Sequence, residues 1–198
     1  MPRRDLDSRA RLIAATRRLL WERGYTGTSP RDIQDGAGVG QGSMYHHFAG
    51  KPELAAVALQ ESGDALVAAA AESLDSAGSV FDRLVSYLRR ERPVLRGCPI
   101  GRMTEDAEVM ASPALRAPVE QTLFRLRSRI TGLLEEGQRS GEFVSTIPPG
   151  RLAASITATV QGAYVLSKAA NDEHPFADAI EGTIDLLRSQ LSSAAARN

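Results

Sequence analysis

The sequence predicts an all-α protein, on three observations. Long segments repeat their apolar residues at spacings of three and four, no stretch alternates apolar and polar residues over a strand's length, and Gly or Pro breaks fall at helical intervals. A chain of 198 residues, 42% hydrophobic and 24% charged, is long enough for one buried core or two small ones.

The first helix follows from Leu12, Ile13, Ala15, Thr16, Leu19 and Leu20, with a cap near Asp7 or Ser8 and a stop at Gly24. Ser29-Pro30 pairs an N-cap with a first-turn proline, so a short helix runs from Arg31 to Ala37 and ends at Gly38. A second short helix spans Gln41 to Phe48. Lys51-Pro52-Glu53-Leu54 restarts a helix whose Ala-rich run continues to Ser76. Further helices are expected over 80–96, 100–110, 114–140, 149–171 and 176–194, punctuated by Pro99, Ser112-Pro113, Gly141, Pro148-Pro149 and His174-Pro175.

The formal net charge of zero hides an asymmetry. Residues 1–54 hold nine Lys/Arg against six Asp/Glu, and the remainder holds fifteen against eighteen. A basic start is the sign expected of a segment that faces phosphate. With no uncharged apolar run of about 18 residues and no signal-peptide pattern, the chain is expected off the membrane and in the cytoplasm. The single cysteine, Cys98, forms no internal disulfide.

Two short helices joined by Gly38-Val39-Gly40 have the layout of a helix-turn-helix, whose second helix enters the major groove. Ile33, Ala37, Val39, Met44 and Phe48 are apolar where they can close onto the first helix. That leaves Gln41, Ser43, Tyr45 and His46 to point outward.

Residues 11–54 resemble the TetR family of bacterial transcription regulators. The likeness is carried by Ala15, Leu19, Gly24-Tyr25, Thr28-Ser29, Asp32-Ile33, Ala37-Gly38-Val39, Gly42-Ser43-Met44-Tyr45, His47-Phe48 and Lys51-Pro52-Glu53-Leu54. It implies a DNA-binding head over 1–50 and an effector-binding, dimerising body over 51–198. It further implies that Gln41, Gly42 and Ser43 read or approach bases, with Arg31 as another base contact. Tyr45, His46, His47 and Lys51 match phosphate-contacting positions, and Thr28 adds a hydroxyl. These roles suit the chemistry: arginine presents paired donors to guanine and glutamine pairs both ways with adenine. The sequence departs from the family pattern at Gly40, where Ser or Thr is usual, at Gln34, and at Leu20-Trp21. Glycine is a fair N-cap, so its cost at position 40 is about 0.5 kcal/mol or less.

Other constellations carry less. Adjacent helical residues point about 100° apart, so His46 and His47 make no metal pair, and no metal or cofactor is expected. Arg96 and Arg102 flank Cys98 and would favour a thiolate, but a lone cysteine between helices is usually a small buried hydrophobe. The segment Gly97-Cys98-Pro99-Ile100-Gly101 also resembles a subgroup of TetR-type regulators, several of which respond to drugs or aromatic metabolites. Glu105, Asp106 and Glu108 read as a solvated helical face; no Ser/His/Asp set accompanies them, and no enzyme is expected.

An effector pocket is expected from Phe81, Tyr87, Leu88, Met103, Met110, Leu123, Phe124, Leu126 and Tyr164, with Gln161 as a polar contact, which suits an apolar or aromatic ligand. Small residues at Ala153, Ala154, Ser155, Ala158, Thr159, Gly162 and Ala163, followed by Phe176, Ile180, Ile184, Leu187 and Leu191, predict a homodimer through the last two helices. The expected function is a repressor that leaves its operator DNA when a small effector binds. The alternative is a constitutive or architectural DNA-binding protein of the same fold without a ligand.

Overall fold

The computed structural model describes residues 2–192 and residue 195, with backbone only for residues 2–6. Nine α-helices and two 3-10 turns account for the regular structure of the described residues. The sole β feature among them is an isolated antiparallel bridge between Phe143 and Leu191. The chain gathers into two compact units, Met1–Leu66 with Cys98–Leu123, and Val67–Gly97 with Phe124–Asn198.

In the first unit, α1 (Pro2–Arg23) starts earlier than the Asp7 or Ser8 cap expected. Asp7 instead lies inside the helix and pairs with Arg11 one turn on, at 3.4 Å. Leu12, Ile13, Ala15, Thr16, Leu19 and Leu20 are all buried, as their spacing predicts. Next come α2 (Pro30–Ala37) and α3 (Gln41–His47). They pack on α1 through Ile33, Ala37, Met44 and Phe48. The long α4 (Lys51–Leu74) contributes Leu54, Ala55, Ala58 and Leu59 to the core.

By length and composition alone α4 would be able to cross a membrane. Its polar side is used within the unit, where Glu61 meets Arg17 at 3.8 Å and Ser62 accepts from the Arg17 Nε at 3.1 Å.

The single helix expected over 100–110 is a 3-10 turn, Gly101–Glu105, followed by the short α6 (Ala107–Ala111). The break falls at Asp106, whose extended backbone lets its carboxylate cap the N–H groups of Glu108 and Val109. Then α7 (Pro113–Arg139) begins on a proline and continues through Pro118.

In the second unit, α5 (Val80–Arg89) stops well short of 96. Pro93 disfavours helical backbone at the residue before it, and Arg90 is already extended. A 3-10 turn, Val94–Arg96, follows. At the other end of α5, the Glu142 carboxylate accepts the Val80 and Phe81 N–H groups at 2.9 and 2.7 Å, satisfying two donors that a helix start leaves orphaned. The hairpin of α8 (Pro149–Ala170) and α9 (His174–Arg188) turns at Asn171, in the left-handed region at φ 52°. There Ser167 accepts the Phe176 N–H at 2.8 Å. Thus α9 ends before the expected 194, because Leu191 leaves the helix to bridge Phe143. Residues 193 and 194 lie outside the described residues.

Candidate nucleic-acid interface

The α2–turn–α3 unit is fixed by local chemistry at each joint. Ser29 and Asp32 form a reciprocal capping box at the start of α2: the Ser29 hydroxyl accepts the Asp32 N–H, and the Asp32 carboxylate accepts the Ser29 N–H at 2.8 Å. Hydrogen bonds from the Ser29 hydroxyl and backbone, with Arg23 nearby, hold the Asp32 carboxyl below the usual carboxylate range. The exit from α2 needs Gly38, at φ 62° and ψ 40°, with its N–H on the Asp35 carbonyl and the Val39 N–H on Gln34. At the start of α3, Gly40 has φ −76°, a conformation open to any residue, and gives no side-chain cap.

With Met44 fully buried and Phe48 closing the core, the outer face of α2 and α3 is polar and open. Gln41, Gly42, Tyr45 and His46 are exposed, and Ser43 is half-buried. Nothing lies within 4 Å of where a Gly42 side chain would begin, so a duplex backbone has room to approach there. The Arg31 side chain is 90% exposed and touches Asp35 only loosely, at 3.8 Å. Half-buried His47 lies edge-on to Phe48, while the Lys51 ammonium sits 3.8 Å from the centre of the Tyr25 ring.

Thr28 does not fit the role expected of it. It is 1% exposed, and its hydroxyl donates to the Gly24 carbonyl at 2.7 Å. That hydroxyl closes the turn after α1 instead of facing phosphate.

Two residues that support this head lie far along the chain. The Asp106 carboxylate accepts both the Thr26 N–H and the Thr26 hydroxyl at 2.8 Å, and the Arg102 Nη1 donates to the Trp21 carbonyl at 2.7 Å. Asp106 was expected on a solvated face; no short-range pattern announces a partner 80 residues away. Gly24, at φ 78°, passes so close that a Cβ there would lie 3.1 Å from Asp106 Oδ2. Burial, then Glu108 and Asp106, push the Tyr25 phenol up.

The expected effector wall is scattered in its exposure. Tyr87, Leu88, Met103 and Tyr164 are buried, and Phe81, Met110, Leu123 and Gln161 are half-buried. Phe124 is 59% exposed on the outer side of α7, which corrects its placement as pocket wall: the neighbouring turns of the helix bury Leu126 and Ile130 instead. Cys98 is buried, its Sγ accepting the Gly101 N–H at 3.2 Å.

Comparison with known proteins agrees with this architecture. Residues 12–58 match the model for bacterial regulatory proteins of the tetR family, and residues 73–183 match the tetracyclin repressor-like C-terminal domain. The repressor KstR2 of Mycobacterium tuberculosis is 40% identical over 137 residues, 68% of each chain. An uncharacterised regulator in the lacX 3' region of Lactococcus lactis is 24% identical over 193 residues, 93% of each. The crystal structure of a TetR regulator from Chloroflexus aurantiacus superposes with a TM-score of 0.85 at 26% identity, covering 96% of this chain and 98% of that one. The chain therefore belongs to the TetR family of bacterial regulatory proteins.

Proposed function

We propose that this protein is a homodimeric repressor that binds a two-fold operator through residues 1–50 and releases it when a small apolar or aromatic effector binds within residues 51–198. TetR-family chains are DNA-binding transcription regulators, not enzymes. The observation that carries the reading is the open polar face formed by Arg31, Gln41, Gly42, Tyr45 and His46 over a fully buried Ile33 and Met44. Arg31, Gln41 and Ser43 would read bases, and Tyr45, His46, His47 and Lys51 would hold phosphates. Repression is supported by the relative KstR2, named a repressor.

Dimerisation is supported by α8 and α9. On α8, Ser155, Ala158, Gly162, Val165, Leu166 and Ala169 are small or apolar, and all but Gly162 and the serine are hydrophobic. Apart from the adjacent Val165 and Leu166, they follow one another at threes and fours along one face that solvent reaches. Gly182 and the 70% exposed Leu186 do the same on α9. Apolar side chains left open in such a stripe suit an isologous interface. Effector binding is supported by the buried Tyr87 and Tyr164 of the second unit. Operation in the cytoplasm, where operator DNA lies, belongs to the same reading.

The test is fluorescence anisotropy on the palindromes upstream of its own and neighbouring genes. Binding that is sequence-specific, falls with salt, and is reversed by an apolar or aromatic compound is expected. Loss of sequence preference would overturn the proposal, and preference without any reversal would replace it with a constitutive binder.

A further inference from the structure

At the end of α5 the second unit holds a cavity of about 600 Å³ that the operator-binding reading leaves unused. Its floor is apolar, from Leu88, Val94, Phe176 and Ile180, and its volume lies in the range of small-molecule sites. Three arginines at the end of α5 and just beyond it, Arg89, Arg90 and Arg92, line one side.

The three are not equivalent. Arg89 is committed to Glu181 in a two-pronged pair at 2.6 and 2.7 Å. Arg92 is folded back on the protein: its Nη2 donates to the Tyr87 and Leu88 carbonyls at 2.6 and 3.2 Å, its Nε donates to the Arg90 carbonyl at 3.1 Å, and its guanidinium lies 5.3 Å from the Phe176 ring centre. Those bonds end α5, but carbonyls do not neutralise a cation. Arg90 makes none of them. Its Nε is buried without a hydrogen-bond partner among the described residues.

Neither Arg90 nor Arg92 pairs with a carboxylate among the described residues, where Arg89 does. Burial pushes the Arg92 guanidinium down; Tyr164, which also hydrogen-bonds it, and Tyr87 act against this, and Arg90 reinforces it. A partly buried cation beside a second one, with no counter-charge, is an unfavourable arrangement that an anion would relieve. The remaining acids on the rim are Glu91 and Glu173, and neither forms an ion pair with Arg90 or Arg92 among the described residues.

We infer that this cavity binds an amphipathic carboxylate, its headgroup held by Arg90 over the charge of Arg92 and its apolar body lying along Leu88, Val94, Phe176 and Ile180. The ligand class is set by both halves. A free inorganic anion would leave the apolar floor wet, and a neutral lipophile would leave the two guanidinium groups uncompensated.

The experiment is calorimetric titration of the full-length protein, free of DNA, with decanoate, decanol and decylamine. Saturable decanoate binding is expected, with decanol weaker by about tenfold or more, the margin of a charge-assisted hydrogen bond. Arg90→Gln is expected to remove that margin, weakening decanoate about tenfold and leaving decanol unchanged. Ile180→Trp, which fills the floor, is expected to abolish both. Equal affinity for decanol and decanoate, tighter binding of decylamine, or unchanged decanoate binding in Arg90→Gln would each overturn the inference. Should Ile180→Trp fail to fold, the Arg90→Gln comparison decides alone, since Arg90 supports no other side chain by hydrogen bond among the described residues. Operator binding is read separately, so its absence would strike the repressor proposal and leave this site standing.

Discussion

Asp106 holds Thr26 by both its backbone N–H and its hydroxyl, each at 2.8 Å, and with the same carboxylate caps α6. One side chain thereby fixes the turn after α1 from a segment 80 residues away. Removing it by Asp106→Ala is expected to destabilise the protein by about 1–2 kcal/mol, the lower range because solvent reaches the pair. Urea denaturation measures this directly. Burial acts to raise the Asp106 pKa, but the Thr26 backbone and hydroxyl and the Val109 and Tyr25 backbones outweigh it and hold the group below its ordinary value. Because the folded group titrates below its unfolded value of about 3.9, the stabilisation is fully present above that pH. It is lost as pH falls through the folded pKa. The alanine variant is expected to show less acid sensitivity in this window than the parent.

Thr28 and Arg31 are predicted to separate stability from operator affinity. Thr28→Val keeps the buried shape but leaves the Gly24 carbonyl without its hydroxyl donor, for a stability loss of about 1 kcal/mol and an unchanged salt dependence of DNA binding. Arg31→Ala removes an exposed side chain with one loose ion pair, so the thermal midpoint is expected to hold. Its operator affinity is expected to fall by about 1–3 kcal/mol, with relaxed preference at one base pair. A Thr28→Val protein with a shallower salt slope would return Thr28 to the phosphate contacts.

The α2–turn–α3 unit was legible because its determinants are local. Ser29 and Asp32 lie three residues apart, and Gly38 marks a left-handed exit that few other residues adopt. Asp106 was misread for the opposite reason: an acid beside two other acids looks solvated until its partner is placed. Phe124 shows a second limit, since an apolar residue in a long helix does not say which side is buried. The early end of α5 was half legible: Pro93 stands inside the expected helix, but the turning back of Arg92 to bond the last carbonyls leaves no mark in the sequence.

Gly63 reverses the ordinary rule for glycine in a helix. Replacing a mid-helix glycine by alanine usually stabilises by about 1 kcal/mol. Here a Cβ would collide with the Thr122 hydroxyl, which is itself bound to the Pro118 carbonyl at 2.7 Å. Gly63→Ala is expected to destabilise by about 1–3 kcal/mol, as overpacking does. A rise in thermal midpoint would show that Thr122 gives way freely.

Leu186→Glu tests the second-copy interface. The side chain is 70% exposed, so a charge there costs the isolated chain little. Sedimentation velocity is expected to show monomer in place of dimer, and anisotropy weaker operator binding. An unchanged dimer would move the interface off α9.

Gly162 and Gly182 stand in open helical faces with nothing within 4 Å of their missing side chains. Each forgoes about 1 kcal/mol relative to alanine, and the separate chain recovers none of it. In the proposed dimer, close approach by a second backbone would return that loss, and the melting temperature is then expected to rise with protein concentration. Dilution would then lower the temperature at which the chain unfolds, and Leu186→Glu would remove that dependence.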